Sequence, residues 1–233
     1  MSHSNKILAR LNRYSELDII DAQRLYQEKF NDISEQAFFK TLSRLAKDGE
    51  IQRLTKGIYC KPKKGRFGII GSNEKNILEY YVGTNKNKGV VVGYQMYNKY
   101  GLTTQVSKII EVYSNVTLQE KRKIKNVSIY KANLKFDAST KKMIELLEVL
   151  ENYHSIEDLN SKSMLKFITD AGSYYNEKTL EKLLKTIGYK KSTLASLRNL
   201  LDELNIENTV DQYLNGTSKY KALRLEDLYE AAS

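Results

Sequence analysis

The run from Asp18 to Pro62 constrains this chain more than any other stretch. Ile19-Ile20-Asp21-Ala22 leads into an amphipathic segment, read as a helix over residues 18–29. Asp32-Ile33-Ser34-Glu35 opens another, over residues 33–47, with Asp32 placed to cap it and Glu35 three residues on, as in a capping box. Lys47-Asp48-Gly49 stops that helix. Glu50 to Tyr59 then reads as two short strands around a turn at Gly57. A helix pair whose second member is free to enter a groove, followed by a charged β-hairpin, is the pattern of a winged helix-turn-helix. The pattern points to duplex DNA rather than to a small-molecule substrate.

The faces of the second helix agree with that pattern. At about 100° per residue, Phe38, Leu42 and Leu45 fall on one side, with Ala46 near them. Gln36, Lys40, Ser43, Arg44 and Lys47 fall on the other, a mix of amide, hydroxyl and cation suited to base edges and phosphates. A merely solvated helix face has the same composition. The hairpin adds Arg53, Thr55 and Lys56, and Lys61, Lys63, Lys64 and Arg66 follow it. Helix and basic hairpin together make the footprint of a duplex-binding module.

The charge distribution separates the chain into parts. Net charge is +10, which favours a polyanionic partner without identifying it. Residues 1–66 hold 14 Lys/Arg against 8 Asp/Glu, and residues 67–138 hold 11 against 5. Residues 139–233 hold 13 against 15, so the positive excess lies in the first two parts. These become three expected regions: a winged helix-turn-helix over 1–66, a mixed α/β module over 67–138 and a helical segment over 139–233. In the first, residues 5–13 form a helix ahead of the pair. In the middle, Ser72 opens a helix carrying Ile77, Leu78, Tyr81 and Val82. Gly89 to Gly93 is a buried strand, Tyr94 to Tyr100 a short helix ended at Gly101, and Ser107 to Ser114 a strand. Val127 to Phe136 adds one or two more strands. Leucine-rich periodic stretches fill the rest, with the last helix beginning near Leu225. The fold class is therefore α+β.

A search for chemistry returns little. Cys60 is the only cysteine, so an intrachain disulfide is excluded, and its place in the hairpin reads as that of a small buried residue. His3 and His154 are the only histidines, and no cluster has metal-ligand spacing. Ser72-Asn73-Glu74-Lys75 matches a Ser-x-x-Lys nucleophile pattern, but the accompanying Ser-Asp-Asn and Lys-Thr-Gly are missing, and Ser72 reads instead as a helix cap. Gly65, Gly68 and Gly71 lack the Lys-Ser/Thr pair of a phosphate loop. Tyr80, Tyr81, Tyr94, Tyr97 and Tyr100 invite a base-stacking role, but with no Trp and only 6 Phe, tyrosine reads as the main core aromatic. The expectation is a protein that is not an enzyme and carries no cofactor or metal. With no leader-like or membrane-spanning apolar run, it is expected in the cytoplasm.

The middle segment carries a recognisable box. Gly93-Tyr94-Gln95-Met96-Tyr97-Asn98-Lys99-Tyr100-Gly101-Leu102-Thr103-Thr104-Gln105-Val106 resembles the AbiEi-type antitoxins of abortive-infection systems. That family places a short helix, then Gly-Leu-Thr/Ser-Thr-Gln-Val, then a strand, here Lys108 to Tyr113. Arg53 to Tyr59 with Pro62 matches the family's hairpin ending, whereas Ser107 stands where many members have Pro. The resemblance spans residues 5 to about 136. It implies a type IV toxin-antitoxin role: neutralising a co-transcribed nucleotidyltransferase-like toxin, with a direct complex left open. It also implies repression of the protein's own promoter through inverted repeats. Two half-sites fit a monomer, or weak dimer, that binds DNA cooperatively. Without the antitoxin role, the same features describe a winged-helix transcriptional regulator. The box itself reads either as a fold marker or as local hydrogen bonding in a tight connection.

Overall fold

Strand β1, Ile19–Asp21, is the first departure from the sequence expectation. Those residues were expected to begin a helix, but they pair antiparallel with β3, Ile58–Cys60, with Ile20 opposite Tyr59. The partner lies almost forty residues away, so helical periodicity could not announce it. Asp21 then caps α2, Ala22–Lys29, accepting the N–H groups of Gln23 and Arg24. The computed structural model describes residues 3–66, 68–216 and 219–232.

Helix α1, His3–Leu11, precedes this strand, and α3, Glu35–Lys47, follows α2. Ser34, not Asp32, caps α3: its Oγ accepts the Ala37 N–H at 3.3 Å. Glu35 lies in the first turn and Arg44 and Lys47 in the last, each sign where the helix dipole favours it. Gly49 follows with φ +78°, which lets the chain reverse into β2, Gln52–Thr55. Strands β2 and β3 form the hairpin, and Gly57 at φ +76° makes its turn. The three strands run in the order β1-β3-β2. Ile7, Leu11, Leu25, Phe38, Leu42, Leu45 and Tyr59 close one core, and we call this unit the head.

Past Lys61 comes a second small hairpin that the sequence had suggested only as a basic connection: β4, Lys63–Gly65, pairs with β5, Gly68–Ile70. Asn73, not Ser72, caps α4, Glu74–Val82, in a reciprocal box with Asn76. Ser72 is buried, and its hydroxyl donates to the Leu17 carbonyl at 2.6 Å.

The central sheet has the order β6-β7-β9-β8, from β6 Gly89–Val92, β7 Ile110–Ser114, β8 Lys121–Ile124 and β9 Val127–Lys131. Strand β7 is shorter than its expected span from Ser107, and β8 was not expected. Helix α5, Tyr94–Lys99, follows β6 and ends before Gly101 at φ +66°. One sheet face packs on α4 and on the β1–β3 ribbon, through Ile77, Tyr81, Val112, Ile129, Ile19, Ile58 and Cys60. The C-terminal helices are α6 Ala138–Asn152, α7 Ser161–Gly172, α8 Glu177–Thr186, α9 Lys191–Glu203 and α10 Leu225–Ala232. They share a single core with Val90, Val92, Met96 and Tyr97 of the middle segment. The α+β class therefore holds.

Alternation in the β1–β3 ribbon sorts its side chains between two cores. Ile20 and Tyr59 face the head, while Ile19, Ile58 and Cys60 face the sheet. Asp21 shares the parity of Ile19, and its carboxylate lies 3.9 Å from the Arg122 guanidinium of β8, with side-chain exposures of 1% and 5%. Arg24 Nη2 also donates to the Val116 carbonyl at 2.5 Å. Head and sheet are thus joined by an apolar wall, by one buried ion pair and by one part-buried hydrogen bond.

Candidate nucleic-acid interface

Helix α3 exposes the face that its periodicity predicted. Gln36, Lys40, Ser43, Arg44 and Lys47 are all exposed, while Phe38, Leu42 and Leu45 are buried. Gln36, Lys40, Ser43 and Lys47 follow one another at spacings of three or four and form a single stripe. Arg44 Nη2 donates to Ser4 Oγ of α1, which steadies the guanidinium beside that stripe. The aromatic rings behind α3 pack in tilted contact, with the Phe38 centroid 5.4 Å from those of both Tyr26 and Phe30. The exposed face therefore rides on a rigid base.

The hairpin stands next to this helix. Arg53 and Lys56 are exposed, Thr55 is half-buried, and Arg53 Nε reaches the Thr55 carbonyl at 3.4 Å. Lys61 behaves differently. Its Nζ is 2.9 Å from Asn12 Oδ1 and 3.8 Å from the Glu50 carboxylate, so it braces the base of the hairpin against the end of α1. Ser43, Arg53, Thr55 and Lys56 line a common groove of about 630 Å³, together with Phe39, Gln119, Lys121, Arg122 and Lys123. The sequence reading missed that second wall. No periodic or motif signal could have joined β8 to the hairpin, because the two meet only through tertiary packing.

The remaining candidates have structural duties. The Cys60 thiol is buried, with the Ser72 N–H pointing at its sulfur from 3.5 Å. Tyr81 and Tyr97 are core residues, Tyr80 packs edge-on against Tyr81, and Tyr100 packs on Phe167 at 4.4 Å between centroids. Burial pushes the Tyr80 hydroxyl up to about 12. The Gly101–Val106 box is a cross-link. Asn98 Nδ2 donates to the carbonyls of Thr103 at 2.8 Å and Gln105 at 2.9 Å, and Thr103 Oγ1 donates to the Glu157 carbonyl at 2.5 Å. It ties α5 to the connection leading into α7, while Val106 is left 82% exposed.

Among the described residues there is no cluster of His, Cys, Asp and Glu able to hold a metal ion, and no helix is long and apolar enough to cross a membrane. A family model described as a family of unknown function, DUF6088, matches residues 20–191, from β1 to the first residue of α9. The chain belongs to this DUF6088 family. The matched span takes in α2, α3, both hairpins, the central sheet and most of the C-terminal core. No curated protein matches the DUF6088 chain. Among solved structures, it is similar to the RV2827C protein from Mycobacterium tuberculosis at 12% identity, over 87% of this chain and 77% of that one, with a TM-score of 0.39.

Proposed function

We propose that this DUF6088 chain is a winged-helix duplex-binding protein that represses its own promoter and acts as an antitoxin of the AbiEi type. The observation that carries the reading is the α3 face: an exposed stripe of Gln36, Lys40, Ser43 and Lys47 with Arg44 beside it, adjoining the cationic hairpin tip at Arg53 and Lys56. In this reading α3 enters the major groove and the hairpin rests on the backbone, so the helix supplies sequence choice and the hairpin supplies position. Two copies on an inverted repeat then supply the specificity that one short helix lacks.

The antitoxin half rests on the resemblance around Gly93–Val106, whose box links the sheet module to the C-terminal helices. The co-transcribed toxin would be nucleotidyltransferase-like. Two measurements test the pair of roles. A mobility-shift titration with the native promoter should show stepwise occupation of its half-sites. Co-expression with the neighbouring gene should restore growth. Failure of the first at low salt removes the duplex-binding role, and failure of the second leaves a transcriptional regulator.

A further inference from the structure

We propose that the duplex-binding surface continues past the head onto the edge strand β8, where Lys121 and Lys123 contact the phosphate backbone. The proposal rests on the reading of α3 and the hairpin as a DNA-binding head, and extends it to a part of the chain outside that head.

The groove beside the hairpin has two walls. Ser43 of α3 with Arg53 and Lys56 of the hairpin make one, and Lys121 and Lys123 of β8 contribute to the other. Five cations line the groove against one acid, Glu35. The β8 pleat turns Arg122 and Ile124 inward and leaves Lys121 and Lys123 exposed. Lys121 rests over the Tyr130 ring at 4.9 Å, and Lys123 makes no ion pair or hydrogen bond among the described residues. At the base lies Arg122, whose buried Nε and Nη1 have no hydrogen-bond partner among the described residues. Asp21 lies 3.9 Å from its Nη2 and makes a neutral pair with it, so the positive charge of the groove comes from Arg53, Lys56, Lys121 and Lys123. Cationic walls of this kind, continuous with the α3 face, fit an extended polyanion.

Geometry fixes the two walls relative to each other. The Asp21–Arg122 pair ties β8, and the Arg24–Val116 link ties the connection leading into it, to the start of α2. Placing α3 in a groove of DNA therefore also places β8, without a hinge to absorb an error. Phosphate contacts made by a fixed second wall lose little ordering entropy on binding.

The test is an anisotropy titration of the full chain on its own promoter duplex and on a scrambled duplex, across a salt series. Lys121→Ala/Lys123→Ala is expected to weaken binding to both duplexes equally, by about tenfold at low salt, and to make the log–log salt slope shallower by about two ions. Lys121→Glu/Lys123→Glu keeps the edge strand charged and is expected to weaken both further. Binding and slope unchanged in both double variants, while Arg44→Ala reduces promoter binding, overturns the proposal alone. In that case the lysines only keep an edge strand from pairing. A wild-type chain that binds neither duplex overturns the head reading and this extension together.

Discussion

Asp21→Ala and Arg122→Met remove opposite halves of one buried pair, and the structure makes their costs unequal. Asp21 Oδ1 accepts the N–H groups of Gln23 at 3.1 Å and Arg24 at 3.2 Å, while Oδ2 faces Arg122 from 3.9 Å. Without Arg122 the carboxylate keeps both hydrogen bonds and the favourable N-terminal end of α2. Arg122 has no such reserve, because Nε and Nη1 have no hydrogen-bond partner among the described residues and its side chain is 5% exposed. Asp21→Ala therefore removes a helix cap and strands a buried cation, for a loss of roughly 3–5 kcal/mol. Arg122→Met keeps the volume of the stem but leaves Asp21 Oδ2 buried without a partner among the described residues, a penalty softened by the two hydrogen bonds on Oδ1, so its cost is about 1–3 kcal/mol. Urea unfolding of the full chain, read at unchanged denaturant slope, measures both. Equal losses, or a larger loss for Arg122→Met, would refute the reasoning.

Ser34→Ala should cost about 1 kcal/mol and Asp32→Ala less than about 0.5, because only Ser34 caps α3; thermal melts of the two variants decide between them. Arg44→Ala should lower promoter affinity by roughly 1–3 kcal/mol if the guanidinium leaves Ser4 for a guanine edge, whereas Lys56→Ala should weaken all duplexes alike and flatten the salt slope by about one ion. Competition between specific and random duplexes separates these two effects. Burial pushes the Glu148 carboxyl from 4.5 up to about 7, and the 3.2 Å hydrogen bond from Tyr113 offsets this only in part. An acid raised in the folded state binds its proton there, so its contribution is intact below the unfolded value of 4.5 and declines as pH climbs to about 7. Glu148→Gln should therefore flatten the stability profile across that window and stabilise the chain at pH 8 by on the order of 3 kcal/mol. Unfolding midpoints at pH 5 and pH 8 that change identically in wild type and variant would sink this.

What the sequence shows of this molecule is its local part. The α3 faces were legible because Phe38, Leu42 and Leu45 recur at helical spacing, and the hairpin because Gly57 sits between two short strand-like runs. Gly101 ended its helix as expected for a residue at positive φ. The short strands were not legible. Ile19–Asp21 takes strand form only because Ile58–Cys60 lies beside it, and Lys121–Ile124 has the composition of a solvated run until β9 pairs with it. The same reason hid half of the candidate interface. Arg53 and Lys56 sit in a recognisable hairpin, but Lys121 and Lys123 acquire their position from the Asp21–Arg122 link, which spans a hundred residues. Lys61 shows the converse: a cation in the right stretch of sequence that folding commits to Asn12 and Glu50.

The β1–β3 ribbon limits how this head can be exchanged among relatives. A winged helix built as a self-contained cassette can be transplanted at its C-terminal linker. Here Ile19, Ile58 and Cys60 belong to the core of the sheet module, so a graft cut after Arg66 would carry an apolar wall with nothing to cover it. A chimaera that takes α4 and the sheet along with the head would keep that wall covered and the groove complete. Recombination that respects packing should therefore leave the stretch from β1 to β9 as one heritable block, and under the proposed function new binding preferences would arise by substitution on α3 rather than by replacement of the head.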